Sequence, residues 1–254
     1  MNYTCELNSD YSYMGDIIAN LPNRLDEVGE VIYKGRNEVQ RIKCNGRQFV
    51  VKRYKALGLF KGVIYTFFKS SKAYRAYYNA LKLNQMNIST PEQVAYSHVS
   101  KRGLIKDCYF VSVEDMGHSC VEVQNECECR DEIIEKLAAF FVKMHKCGFL
   151  HGDANLSNFL YAKNGETNEI EISTIDTNRS SFYDGELSQK KCLQNFSRLS
   201  HDRGVVSLIV RAYARMRGWD ETYCEQQVFC YISRFEKRKI FLYKLRGRKL
   251  PDWA

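Results

Sequence analysis

HGDANLSNFL, residues 151–160, sets an Asn five places after an Asp, directly behind an apolar helical stretch. In that stretch, Arg130 to Cys147, the residues Ile133, Leu137, Phe141 and Met144 make one apolar stripe, and Gly148 stands where a helix C-terminus favours positive φ. Beyond the loop, Phe159-Leu160-Tyr161 reads as a short strand and Asn164-Gly165 as a turn. Glu169 to Ile175 reads as a second strand that delivers Asp176 at its end. Two carboxylates and one carboxamide, Asp153, Asp176 and Asn158, are thus expected together. Oxygen ligands of that kind suit Mg²⁺, which keeps several waters and shares its other positions with substrate phosphates.

Working outward toward the N-terminus, Val31 to Tyr33, Glu38 to Lys43 and Arg47 to Tyr54 read as short strands. Gly35 separates the first two, and Asn45-Gly46, a strong hairpin signal, separates the others. Ser70 or Ser71 caps a helix that runs to about Met86 and ends before Thr90-Pro91. Strands over Gln93 to Val99 and Cys108 to Glu114 follow, and Asp115-Met116-Gly117 reads as a hinge between lobes 1–115 and 116–254. From Glu186 to about Lys249 the pattern is mainly helical, with no internal repeat.

A chain of 254 residues with 44% apolar and 27% charged content can bury a full core, which argues against disorder. No apolar run of 18 residues and no signal-peptide pattern is present, so a cytoplasmic location is expected. The ten cysteines lack the dense spacing of a disulfide scaffold and read as reduced thiols. His118, Cys120, Cys127 and Cys129 are potential zinc ligands, but their H-x-C and C-x-C spacings match no familiar zinc knuckle. Within the net charge of +8, Val39 to Pro91 holds eleven basic residues, Lys61 and Lys69 among them, and no Asp or Glu. Tyrosines such as Tyr65 are interleaved there, and a second basic run spans Arg234 to Lys249. Such one-signed surfaces attract phosphates, anionic lipid or nucleic acid, or are simply solvated faces.

His-Gly-Asp-x-x-x-x-Asn followed by a strand ending in Asp resembles the catalytic loop and metal-binding Asp of protein-kinase-like enzymes, in the form common among small-molecule kinases. Within that superfamily the chain looks most like the lipopolysaccharide core kinases, which phosphorylate 3-deoxy-octulosonic acid or heptose. The resemblance rests on Met144 to Asp153, Ile175 to Arg179 and Gln48 to Lys52, and covers roughly Val31 to Tyr213. It implies an α+β, bilobal protein-kinase-like fold, with a small antiparallel sheet in the N-terminal lobe and a mainly helical C-terminal lobe. By resemblance Asp153 accepts the proton of the attacking sugar hydroxyl, Asn158 and Asp176 hold Mg²⁺, and Lys52 contacts the α and β phosphates of ATP. Gly35 falls in a phosphate-covering loop, Glu114 and Met116 at the hinge are assigned to nucleotide binding, and His151 braces the loop.

Two departures from the kinase pattern stand out. The helix after the Lys52 strand has no Glu to set that lysine; the expected place falls near Ala76 to Tyr78, and Glu92 is the nearest acidic residue beyond. Either another carboxylate holds Lys52 or the pair is lost, which keeps a pseudokinase that binds nucleotide or glycolipid without turnover as a rival reading. Asp176 is followed by Thr177-Asn178-Arg179 rather than Phe-Gly, and no Pro lies between Pro91 and Pro251, so the Ala-Pro-Glu segment of protein kinases is missing. A peptide substrate is therefore disfavoured. Arg179 either contacts a substrate carboxylate or phosphate, or braces its loop against Asp184. Together these features suggest an anionic glycolipid substrate and a peripheral contact with the inner face of a membrane, with no nucleic acid expected. A kinase of the aminoglycoside or choline type is the alternative on the same fold, and an RNA-binding module rests on the basic stripe alone.

Overall fold

Six strands of the first half of the chain build one antiparallel sheet: β1 (Asn2–Leu7), β2 (Glu30–Lys34), β3 (Glu38–Cys44), β4 (Arg47–Lys55), β5 (Gln93–Lys101) and β6 (Leu104–Val113), in the order β1-β5-β6-β4-β3-β2. The computed structural model describes residues 2–35, 37–55, 70–125, 129–251 and 253. The readings on Lys61, Tyr65, Lys69 and Cys127 lie outside these described residues. Two units are distinguished, 1–116 with 176–179, and 117–175 with 180–254.

Alternation along β4 decides what each face of the sheet carries in the first unit. Phe49 and Val51 are fully buried on the face covered by α1 (Gly15–Val28), where Ile18, Leu21 and Leu25 form the helix's apolar stripe. Tyr54 points the other way, into a cluster with Ala73, Tyr77, Tyr96 and Cys108 beneath α2 (Lys72–Gln85). Lys52 is two residues before Tyr54 and shares that second face. The β3–β4 hairpin turns through Asn45 and Gly46, both at positive φ (48° and 77°), as a two-residue primed turn requires. Arg102 and Gly103 (53° and 77°) do the same between β5 and β6. Ser71 caps α2 by accepting from the Tyr74 N–H.

The structure adds β1, a 3-10 helix (Ser9–Met14) and α1 before Val31, and lengthens one of the expected strands. β1 pairs with β5 over Asn2↔Ser100 to Leu7↔Ala95, and α1 closes one face of the sheet. The reading of β6 began at Cys108, but the strand begins at Leu104, because ladder bonds to β5 continue to the Arg102-Gly103 turn whatever the polarity of Lys106 and Asp107. Pro22 and Asn23 inside α1 explain why that helix carries turn signals in the sequence.

In the second unit, α3 (Arg130–Lys146) buries Ile133, Leu137, Phe141 and Met144 on one stripe. Phe141 packs between Phe159 and Phe196, with ring centroids 4.8 and 4.7 Å away. Gly148 ends the helix at φ 74°, as its position requires. Three short pairings follow: β7 (His118–Ser119), β9 (Phe159–Lys163) and β10 (Ile170–Thr174) in the order β10-β9-β7, and β8 (Phe149–Leu150) against β11 (Ser181–Phe182). The rest is helical: α4 (Gln189–Asn195), α5 (Arg203–Arg217) and α6 (Glu221–Leu245). Asp202 and Asp220 cap the last two by accepting from Val205 N and Tyr223 N.

Candidate active site

The loop opened by His151 is held by buried groups of the second unit. His151 is buried; its Nδ1 accepts from the Asp153 N–H (3.1 Å) and its Nε2 lies 3.0 Å from the Ile175 carbonyl. A ring nitrogen that accepts a backbone N–H leaves the proton on the other, so His151 is the neutral Nε2–H form, donating to Ile175. The Asn195 amide donates to the His151 carbonyl (2.7 Å), and Asn195 Oδ1 accepts from His145 Nε2 (3.1 Å). His145 Nδ1 in turn accepts from the Tyr213 hydroxyl (2.9 Å). Burial holds the His145 pKa down at about 4, against the opposing bond to Asn195, so the imidazole stays neutral as this chain of bonds demands.

Asp153 and Asn158 are set by the same loop. The Asn158 amide Nδ2 donates to the Asp153 carbonyl (2.8 Å), which turns the carboxamide oxygen away from that bond. The Asn158 carbonyl accepts from Ile175 N (2.9 Å) and from Thr174 Oγ1 (3.2 Å), pinning it to the end of β10. Asp153 Oδ1 accepts from Arg198 Nη1 at 3.0 Å, a contact the sequence did not announce.

In the first unit, Lys52 Nζ lies 2.7 Å from Asp176 Oδ1. Asp176 holds a left-handed backbone (φ 57°), a conformation Asp tolerates better than most residues, and its Oδ1 also accepts from the Asn178 amide. Buried Tyr54 stays protonated: burial raises its pKa well above the ordinary value, and the charge of Asp176 adds to that. The helix position expected to carry a Glu holds Ala76, Tyr77 and Tyr78, and Tyr78 donates to Glu6 on β1 (2.8 Å). Asn79 on α2 donates to the Thr177 carbonyl (2.7 Å), which ties the helix to the segment just after Asp176. Glu92 does not reach Lys52: its carboxylate accepts from the Tyr11 hydroxyl.

The remaining expected residues are placed as follows. The Glu114 carboxylate is nearly buried and grips Arg41 through Nε (2.7 Å) and Nη2 (2.6 Å). The Glu114 N–H donates to the Gln48 carbonyl (3.0 Å). Met116 is 71% exposed. Gly35 lies in an exposed bend with its N–H on the Asn37 carbonyl (2.9 Å). Arg179 is exposed at the end of the turn Thr177–Arg179. Of the zinc candidates, Cys120 is buried and its thiol is pushed up to about 12 by that burial, which disfavours the thiolate a metal needs. His118 is exposed, 3.7 Å from Glu122. Among the described residues no group of three or more His, Cys, Asp or Glu side chains is arranged to hold a metal ion. The sequence reading missed Asn79, Arg41 and Arg198; the only hint was the missing acidic residue on α2.

An antiparallel sheet bearing the lysine and paired to a strand-end Asp, with an H-G-D loop in a helical unit, is a protein-kinase-like fold of the α+β class. The chain belongs to the lipopolysaccharide kinase (Kdo/WaaP) family, whose match spans residues 23–207. Among solved structures it is similar to WaaP in complex with acyl carrier protein, with a TM-score of 0.59 at 17% identity over 92% of this chain and 97% of that one. It also resembles the Rio2 kinase of Chaetomium thermophilum in an ADP/Mg²⁺-phosphoaspartate complex, with a TM-score of 0.48 at 15% identity over 85% of this chain and 67% of that one. No curated protein matches.

Proposed function

We propose that this kinase transfers the γ-phosphoryl group of ATP to a hydroxyl of an acidic sugar in the lipopolysaccharide inner core, with Asp153 as the base. The observation that carries the reading is the fixed main chain of Asp153, whose N–H is bound by His151 and whose carbonyl is bound by Asn158. A carboxylate so held can align an attacking hydroxyl, and phosphoryl transfer depends mainly on such alignment and on charge neutralisation. Asn158 and Asp176 are the proposed holders of Mg²⁺, which when bound neutralises charge on the phosphate oxygens. Their carboxamide and carboxylate oxygens are the hard donors that ion takes. Lys52 is the proposed phosphate contact. The Glu114 carboxylate is committed to Arg41, so a nucleotide contact at that position falls to its backbone. Gly35 and Met116 are the further nucleotide-side candidates, and Arg179 remains a candidate for a substrate anion.

The expected membrane contact is assigned to the last turns of α6. Phe241 and Leu245 are 64% and 72% exposed there, among the exposed cations Lys237, Arg238, Lys244 and Arg248. Apolar side chains set among cations suit the surface of an anionic leaflet, at about 1 kcal/mol per basic residue near the surface. No helix among the described residues is long and apolar enough to cross a membrane.

The test is Mg²⁺-dependent transfer from ATP to purified core glycolipid by the wild type and by Asp153→Ala. Loss of about 10²–10⁴-fold in the variant is expected for a positioned base. Undiminished transfer refutes the role of Asp153. Sedimentation with anionic liposomes, weakened by salt and by Phe241→Ser with Leu245→Ser, tests the membrane contact; salt-insensitive or unchanged binding overturns it.

A further inference from the structure

Beside Asp153, wholly within the second unit, lies a cleft of about 530 Å³, inside the usual range for small-ligand sites of roughly 300–1,000 Å³. Its walls include Gln124, Asn155, Arg198, His201, Phe235 and Lys239. Phe235 and Lys239 stand one helical turn apart on α6, so they present to the same side. The Phe235 ring carries two cations: Arg198 Cζ lies 5.0 Å and Lys239 Nζ 5.6 Å from its centroid. Trp253 holds Lys239 from another side (5.0 Å) and stacks on His201 at 4.0 Å.

The described acidic residues nearby are already engaged. Asp202 caps α5, and Glu236 takes His201 (2.7 Å) and Arg203 (2.6 Å). Arg198 gives Nη1 to Asp153, and a guanidinium carries five N–H donors in a fork. Lys239 has aromatic contacts and no carboxylate partner among the described residues. Two cations preset on one ring, one of them without an acidic partner among the described residues, favour a bound anion and oppose a cationic acceptor such as an aminoglycoside or choline.

We infer that this cleft is the acceptor subsite, and that Arg198 and Lys239 bind an anionic oxygen group of the acceptor, a carboxylate or a phosphate. The inference rests on the acceptor reading above and deepens it, since it names the group recognised and the residues that recognise it. Arg198 bridges the two tasks, because the same guanidinium that reads the anion holds the carboxylate of Asp153. An acceptor anchored there is placed by its charge next to the base. Lys239 is thus a specificity residue; the sequence reading turned to Arg179 for this purpose and held Lys239 only as one member of the basic run Arg234 to Lys249.

The experiment compares wild type, Lys239→Gln and Lys239→Arg on three soluble, deacylated core fragments: intact, with carboxylates reduced to alcohols, and with phosphates removed. With the intact fragment, Lys239→Gln should raise the acceptor KM about tenfold, as expected for loss of a charge-assisted bond. The KM for ATP should not move, and Lys239→Arg should restore most of the loss. The penalty should vanish on the fragment lacking the recognised anion, which tells carboxylate from phosphate. An equal penalty on all three fragments, or none on the intact one, overturns the inference. If wild type turns over ATP with none of the fragments as acceptor, the acceptor reading itself fails. Calorimetric binding of the three fragments to wild type and Lys239→Gln then decides the cleft separately: anion-dependent binding lost in the variant upholds it, and binding indifferent to the anion or the variant refutes it.

Discussion

Lys52 and Asp176 form a direct ion pair, Nζ to Oδ1 at 2.7 Å, and no carboxylate on α2 takes part in it. The pair joins the proposed phosphate contact to the proposed metal ligand, so each neutralises the other until a nucleotide and its cation compete for both. Both side chains are partly exposed, so the pair contributes little to stability and its value lies in positioning.

Lys52→Met should therefore lower kcat/KM for ATP by 10²-fold or more while moving the melting temperature only slightly. Steady-state kinetics and thermal unfolding check both halves. A variant with unchanged kcat/KM would remove Lys52 from the nucleotide site.

Asn79 ties α2 to the segment after Asp176 by donating to the Thr177 carbonyl. Asn79→Leu should cost about 1 kcal/mol, the net worth of one such bond. Asn79→Asp should cost more, because a carboxylate then faces the Thr177 carbonyl with no proton to share. Denaturant midpoints for the two variants give the order; the reverse order would mean that the amide bond is unimportant.

His145 makes stability depend on pH. Its folded pKa of about 4 lies below the ordinary value of 6.5, so between these values the unfolded chain binds a proton that the folded one refuses. The contribution is fully present above about pH 6.5 and is lost as pH falls toward 4, by about 3 kcal/mol in all. Urea unfolding across that window, in wild type and His145→Gln, should show a shallower pH slope in the variant. Equal slopes would argue that His145 is not buried neutral.

Gly148→Ala should be strongly destabilising, by about 2 kcal/mol or more. Its φ is 74°, and an added Cβ would stand 2.2 Å from the Tyr183 carbonyl oxygen and 2.5 Å from that of Gly185, both backbone atoms. A differential scanning measurement showing a melting temperature within a degree of wild type would contradict this geometry.

Much of the fold was legible because its signals are local. Asn45-Gly46 announces the β3–β4 turn, alternation in Gln48 to Lys52 assigns the faces of β4, and the stripe from Ile133 to Met144 followed by Gly148 defines α3 and its end. The H-G-D loop was likewise readable, since its residues are spaced by the chain itself. β1 was not, because its partner β5 lies more than eighty residues away and a lone strand of six residues has no pattern of its own. α1 was obscured by Pro22 and Asn23, punctuation that tertiary burial of Ile18, Leu21 and Leu25 overrides.

By itself, then, the order of residues determined most elements from Val31 onward, the family and the identity of Asp153, Asn158, Asp176 and Lys52 as the residues to watch, since periodicity and spacing are properties of one dimension. Only the folded chain decided where their polar atoms go: Arg198 onto Asp153, Asn79 onto Thr177, Glu114 onto Arg41, and the buried line from Tyr213 through His145 and Asn195 to His151. A polar side chain's partner depends on which distant segments burial brings beside it. The apolar pattern that drives that burial says nothing of the hydrogen bonds formed once it is complete.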